Sequence, residues 1–370
     1  MRILHLEAST GWGGQEIRIL EEAKAMRERG HIVFFAIMRG GLLAPRARDA
    51  GFEVCEMNFQ YKAWGWTLCK LLWFLRKYQI EILNTHSSLD AWIGGIAARI
   101  AGKKIIRTRH LSTPVRPGWN SRALYKTLAD FVVTTCEAII EPLSTQSGKP
   151  RHLFQSIATG VDPAKIRSDL EKTEEFRRSL GAEGTFIVGT ACFMRSWKGI
   201  EEFLQAAQLL RERKDLTWVL IGGGHLDRYR RLAKEMQLDG IVHFTGHLEN
   251  PFPALAALDA FALLSTKNEG VSQAILQAAF LKKPLIATPT GGLPEVCLDQ
   301  KTGFIVAPHS PREVANAVIR LKENAILCEK MGSNAHALVC ERFTFKQTID
   351  GMERVYQTCS ETKKRSRRVT

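Results

Sequence analysis

The sequence has 370 residues, more than one ordinary domain of about 100–200 residues holds and enough for two. With 45% hydrophobic and 24% charged residues it has a globular composition, which excludes a disordered, collagen-like or multi-span membrane chain. Lys and Arg number 52 against 38 Asp and Glu, a formal net charge of +14. Residues 1–180 hold 27 basic and 18 acidic side chains, residues 181–360 hold 20 and 19, and the last ten residues add a net +4. A basic first half and a basic tail point to an anionic partner on that side.

Short apolar runs alternate with helical patterns along the chain. In the first half strands are predicted at 2–8, 31–38, 82–86, 104–108, 131–135 and 152–158, with a weaker one at 53–59. Helices are predicted between them at 15–29, 64–78, 89–101 and 121–129. The pattern lapses at 163–184 into a charged, strand-free stretch ending Gly181-Ala182-Glu183-Gly184. It restarts with strand 185–192, helix 199–213, strand 217–221, helix 226–236, and strands 241–244 and 259–264. Helix 272–281, strands 284–288 and 303–306 and helix 311–322 complete it. This rhythm implies an α/β chain of two doubly wound, Rossmann-like domains facing across a cleft. The first is expected over 1–180, joined by a carboxy-terminal helix at 346–360; the second spans 181–345, and 361–370 is a basic tail. Open parallel sheets bind ligands beyond the carboxyl ends of their strands, so the site is expected there.

Eight cysteines show no C-x-x-C pair and read as buried thiols of a reducing compartment. The start, Met1-Arg2-Ile3-Leu4-His5-Leu6, is a strand followed by a Gly-rich turn, without a signal-peptide pattern. No run reaches the ~18–20 apolar residues of a spanning helix. The expected location is the cytoplasm, with peripheral association at the inner face of the cytoplasmic membrane. Residues 64–78 motivate the second part. Trp64, Leu68, Leu71, Leu72 and Leu75 form a core stripe, whereas Trp66, Lys70, Trp73 and Lys77 form another that suits a membrane interface or a packed helix under loops.

Several loops carry chemistry. Gly11, Gly13 and Gly14 follow the first strand and open a helix, as an anion site or a plain tight turn would. Phe193-Met194-Arg195-Ser196-Trp197-Lys198-Gly199 sets a cation pair on a strand-to-helix loop, which suits a diphosphate. Ser265-Thr266-Lys267-Asn268-Glu269-Gly270-Val271-Ser272 ends a strand with one acid, Glu269, lacking an evident ion-pair partner. Glu269 reads as a site acid or as a helix-start acid favoured by the dipole. Gln273 and Gln277 follow on one helix face, and the opening turn offers N–H groups to a phosphate. Asp90 contacts an acceptor or caps a helix. His5, His152, His243 and His309 read as quiet strand or loop histidines.

These pieces, with Thr85-His86-Ser87-Ser88, Arg107-Thr108-Arg109-His110, Thr159-Gly160-Val161-Asp162 and Thr290-Gly291-Gly292-Leu293-Pro294-Glu295, resemble the two-domain GT-B glycosyltransferases of the retaining family 4, or group 1, type. That family includes many bacterial cell-envelope enzymes. The resemblance implies a donor site of Gly13, Gly14, Arg195, Lys198, Leu248, Gly270, Val271, Ser272 and Gln277, with Glu269 holding sugar hydroxyls. His110 would face the transferring sugar, and Gln15, His86, Ser87, Asp90 and Arg109 would lie toward the acceptor. Glu269, His110, Arg195 and Lys198 are the expected catalytic set.

Two departures stand out. Phe193 occupies the family's usual phosphate-arginine position, leaving Arg195 to serve, and Gln277 replaces a commoner Glu. No D-x-D occurs, and no metal or cofactor is expected. The expected partners are a nucleotide-sugar donor, an anionic glycan or glycolipid acceptor of lipopolysaccharide or surface-polysaccharide type, and the membrane surface through 64–78 and the tail. Nucleic acid is not expected. The alternatives are a nucleotide-sugar epimerase of the same fold and a basic nucleic-acid-binding protein, for which no motif is present.

Overall fold

The computed structural model describes residues 1–110, 113, 115–167 and 169–366. The chain forms two compact units, one of Met1–Ala158 together with the chain from Thr348 onward, the other of Thr159–Gln347.

In the first unit the elements run β1 (Arg2–Glu7), α1 (Gly14–Glu28), β2 (Ile32–Met38), α2 (Leu43–Asp49), β3 (Glu53–Met57), α3 (Trp64–Lys77) and β4 (Ile82–Thr85). Then follow α4 (Ser88–Ile100), β5 (Lys104–Arg109), the helical turns from α5 (Trp119–Ser121) through Thr127, β6 (Phe131–Thr134), α6 (Ile140–Ser147) and β7 (Phe154–Ser156). Seven strands pair in parallel in the order β3-β2-β1-β4-β5-β6-β7. Ile3, Leu4, Leu6, Phe35, Ala36 and Ile37 are fully buried, which is why the central strands read as unbroken apolar runs.

The second unit holds α7 (Leu170–Ser179), β8 (Phe186–Ala191), α8 (Ile200–Leu209), β9 (Leu216–Ile221), α9 (Leu226–Glu235), β10 (Val242–Gly246), α10 (Phe252–Ala256) and β11 (Ala260–Leu263). It continues through α11 (Gln273–Phe280), β12 (Leu285–Ala287), β13 (Gly303–Ile305), α12 (Pro311–Glu323) and α13 (Ala325–Arg342). Its six strands are parallel in the order β10-β9-β8-β11-β12-β13. The last helix, α14 (Phe345–Ser366), belongs to the first unit from Thr348 on and runs into the basic tail, of which 367–370 lie outside the described residues.

The units part at Ala158, not near 180 as the sequence suggested. The charged stretch contains α7, which belongs to the second unit although only Thr173 on it is buried. Arg177 holds it there, donating to the carbonyls of Ala257 at 2.6 Å and Thr185 at 2.7 Å and pairing with Asp259 at 3.2 Å. A helix fixed by an arginine shows no apolar stripe and reads as a linker.

In the first unit α14 is locked by a buried polar chain. Thr108 Oγ1 donates to Asn84 Oδ1 at 2.8 Å, Asn84 Nδ2 to the Tyr356 hydroxyl at 2.8 Å, and that hydroxyl to Glu22 Oε1 at 2.7 Å. Each buried group left unpaired would cost about 1–3 kcal/mol, so the chain fixes the helix in one register.

On α3 the sequence-derived stripe needs one correction. Trp66 and Trp73 are exposed, 79% and 56%, but Lys70 turns inward and donates to the Glu56 carbonyl at 2.9 Å. The outward face is therefore Trp66, Cys69, Trp73, Arg76 and Lys77, with the Lys77 ammonium 4.8 Å from the Trp73 ring centre.

Each sheet has one place where strand order reverses, between β1 and β4 in the first unit and between β8 and β11 in the second. Loops leaving neighbouring strands at such a point diverge to opposite faces and leave a crevice at the carboxyl ends.

Candidate active site

In the second unit the loops after β8 and β11 are laced together. Thr266 N–H donates to the Trp197 carbonyl at 2.8 Å, and Thr288 Oγ1 to the Ser265 carbonyl at 2.5 Å. Lys198 Nζ and Ser265 Oγ each donate to Glu269 Oε2, both at 2.6 Å. Glu269 is only 6% exposed and is ion-paired, which corrects the expectation of an unpartnered acid. Its partner sits 71 residues earlier, beyond the reach of a local reading. Both bonds fall on one carboxylate oxygen, so the pairing orients Glu269 without occupying its second oxygen.

The backbone of Glu269 is held from β12. Gly292 N–H donates to the Glu269 carbonyl at 3.2 Å, and Gly291 has φ +56° with that oxygen 1.7 Å from where its Cβ would lie. Only glycine fits there. Neither Gly291 nor Ser265 was assigned a role from sequence; a glycine pair directly after a strand was the available signal.

Arg195 is exposed, and its guanidinium lies 5.0 Å from the Phe193 ring centre and 5.2 Å from that of Trp197. Phe193 thus serves as one wall of a cation–π clamp that orients Arg195. At α11, Ser272 occupies the cap position and Val271 is buried. Gln277 is half-buried one turn on, while Gln273 is committed to the Thr159 carbonyl. Gly270 and Leu248 are half-buried on the loops after β11 and β10.

In the first unit the reversal point gathers a different set. Gln15 Nε2 and Ser9 N–H donate to Glu7 at 2.5 and 2.7 Å, and Gly13 N–H donates to Glu16 at 2.8 Å. Gly14 opens α1 in an exposed position. Asp90 is fully buried and accepts from the Ser87 N–H and hydroxyl and from the Ala8 N–H, at 2.8–3.0 Å. It is the third residue of α4, bonded back to the residue before the helix, and is withdrawn from the acceptor set together with the Ser87 hydroxyl. His86 is withdrawn as well, because its nitrogens face His5 at 2.9 Å and His110 at 3.0 Å. His5 is therefore no quiet strand histidine. Arg109 remains at a surface. It donates to the Tyr125 hydroxyl at 2.7 Å and borders an open cavity of about 470 Å³ with Ser88, Arg116, Trp119 and Tyr125.

Burial, and then the neighbouring Asp90 charge, push Glu7 up to about 8; burial pushes Asp90 up to about 7. The folded unit thus keeps protons that the unfolded chain, with ordinary carboxyl groups, has released. That stability is full below about pH 4 and is lost as pH rises toward 8. His5, lowered to about 3 by burial, acts oppositely on the acid side. Between about pH 6.5 and 8 the melting temperature is expected to fall, and Glu7→Gln to flatten that slope. Identical slopes in both proteins would show that Glu7 is ionised in the native state.

Two family models cover most of the chain: "Glycosyltransferase Family 4" over residues 12–165 and "Glycosyl transferases group 1" over residues 185–324. The chain is 25% identical over 361 residues to N-acetyl-alpha-D-glucosaminyl L-malate synthase of Bacillus anthracis, covering 93% of each chain. In structure it is similar to Anabaena HepE in complex with UDP, with a TM-score of 0.86 at 22% identity over 97% of this chain and 100% of that one. A glycosyltransferase from Rickettsia africae superposes with a TM-score of 0.89 at 20% identity, over 97% and 98%. Two doubly wound parallel units of this kind are the GT-B fold, and the protein is a glycosyltransferase of the family 4, group 1 type.

Proposed function

We propose that the protein transfers a sugar, with retention and without a metal, from a nucleoside-diphosphate sugar to an anionic cell-envelope glycan or glycolipid. The observation that carries this reading is the Lys198–Glu269 pair at the β8/β11 reversal point, beside the clamped Arg195. Breaking the anomeric bond puts negative charge on the β-phosphate, and fixed cations and amides lower the barrier by meeting it. Arg195, Lys198 and the N–H groups at Val271 and Ser272 take that role. The second oxygen of Glu269 accepts from sugar hydroxyls, Gln277 bonds the ribose, Leu248 lies toward the base, and His110 donates to the transferred sugar. The leaving phosphate takes the acceptor's proton in a front-face attack. Gln15 and Arg109 serve the acceptor.

HepE structures hold UDP, and one holds UDP-glucose. A thermal-shift series with UDP-, GDP- and ADP-sugars is the direct test, since a ligand at 100 times its Kd adds about 2.7 kcal/mol. One donor class should stabilise the protein and support transfer in EDTA. Stabilisation by none of them, or transfer restored only by added metal, would end the reading.

Among the described residues no helix is long and apolar enough to cross a membrane. A lipid-linked acceptor would instead be reached by surface binding through Trp66 and Trp73, with Arg76, Lys77 and the basic tail adding about 1 kcal/mol each at an anionic surface. The protein is expected to co-sediment with anionic vesicles and to be released by salt, and Trp66→Ser with Trp73→Ser to weaken binding even at low salt. Indifference of the intact protein to anionic vesicles at low ionic strength would leave a soluble anionic acceptor.

A further inference from the structure

Three histidines form one file at the carboxyl end of the first sheet. His5 lies on β1, His86 follows β4 and His110 follows β5. His5 Nδ1 is 2.9 Å from His86 Nε2, and His86 Nδ1 is 3.0 Å from His110 Nε2, with both pairs of ring centres 5.2 Å apart. The nitrogens point at one another instead of converging, and among the described residues no group of His, Cys, Asp and Glu is arranged to hold a metal ion.

Each nitrogen–nitrogen contact needs one hydrogen, and a neutral imidazole carries one. His86 can therefore donate to one neighbour and must accept from the other. If it donated to His5, the hydrogen of His5 would sit on Nε2, a fully buried atom with no hydrogen-bond partner among the described residues. A buried N–H without an acceptor costs about 1–3 kcal/mol and is rare. In the other arrangement His5 Nδ1–H donates to His86, His86 Nδ1–H donates to His110, and only a lone pair is left bare on His5. An added proton is opposed on every side: Arg18 of α1 and Arg107 of β5 both act on His86 and His110, and the Phe35 ring of β2 stacks on His5 at 5.6 Å. Burial and these charges push His86 and His110 well below the ordinary histidine range.

We propose that His5 and His86 are positioning residues whose hydrogen bonds fix His110 as a neutral imidazole with its hydrogen on Nδ1, a permanent donor toward a hydroxyl of the transferred sugar. The inference deepens the reading of His110 given above and rests on it for the sugar contact alone. A hydrogen-bonded second nitrogen is the ordinary means of setting which ring nitrogen of a histidine carries the proton.

The test is nitrogen-15 NMR of histidine-labelled, full-length protein, with His110 assigned by its loss in His110→Gln. In the wild type, His5, His86 and His110 should all appear as Nδ1–H tautomers and none should titrate between about pH 5.5 and 8. His86→Phe removes the donor and should send His110 to the Nε2–H form, lower kcat tenfold or more with donor KM nearly unchanged, and add an acid limb to the pH–rate profile. His86→Gln keeps an N–H toward His110 and should restore both tautomer and rate to within about threefold. A wild-type His110 already in the Nε2–H form, or an unchanged tautomer in folded His86→Phe, overturns the proposal. If the wild-type tautomers are as stated yet His110→Gln transfers normally, the file stands and the sugar contact of His110 is lost.

Discussion

Glu269→Gln is expected to lower transfer at least a hundredfold while moving the melting temperature by only a few degrees. The outcome depends on which bonds survive. Glutamine keeps an oxygen that can accept from Lys198 and Ser265, so the local network persists. What disappears is the negative charge that receives sugar hydroxyls, and hydrogen bonds to a charged group contribute about 1.5–3 kcal/mol each. Two such bonds account for the loss. Alanine is the poorer probe, because Lys198 and Glu269 expose only 16% and 8% of their side chains. Removing one partner of a pair so enclosed costs about 3–5 kcal/mol and would mix unfolding with lost chemistry. Initial rates at saturating donor, read beside thermal melts, separate the two. A glutamine variant with wild-type turnover would remove Glu269 from the site.

Gly291→Ala is expected to cost nearly as much without touching a reacting group. Its Cβ would lie 1.7 Å from the Glu269 carbonyl oxygen at a φ of +56°, so the loop must move by more than an ångström. A displacement of about 1 Å in a catalytic group commonly costs ~10²-fold in rate, and a left-handed alanine adds about 1 kcal/mol of strain. Gly223→Ala is the control, since its nearest neighbour would be His247 Cβ at 3.9 Å. The prediction is a large fall in kcat per folded molecule for Gly291→Ala and little change for Gly223→Ala. Equal activities would mean that the Glu269 loop takes its position from elsewhere.

The central strands were legible because they are apolar runs buried on both faces, and all thirteen described strands overlap a predicted one, the less buried β3 and β10 included. Helices announced by a stripe were legible too. Those passed over each have a physical reason: α2, α6 and α10 are short, α7 is bound by an arginine, and α13 carries its buried Met331, Gly332, Ala335 and Val339 among polar neighbours. Gly332 lets α13 lie close against the chain, where a Cβ would come 2.0 Å from the Lys282 carbonyl. In the site, residues on one loop were found and bonds between loops were not. Lys198 was placed beside a diphosphate and Glu269 on a crevice, but their contact spans 71 residues, and the His5–His86 contact spans 81. Side-chain periodicity carries no information at such separations. Asp90 shows the reverse case, where one residue allowed two local readings and burial decided for the cap.

The placement of α14 bears on how the protein is made. The second unit is a contiguous insertion, Thr159–Gln347, and the first unit recovers its closing helix only from Thr348 onward. During synthesis the amino-terminal sheet must wait, with Glu22 and Asn84 lacking the Tyr356 hydroxyl, while the inserted unit is translated and becomes free to fold. At about 5–20 residues per second that interval is roughly 10–40 s. The order of completion then differs from the order of emergence: the inserted unit is fully translated before the first unit receives the helix that closes it.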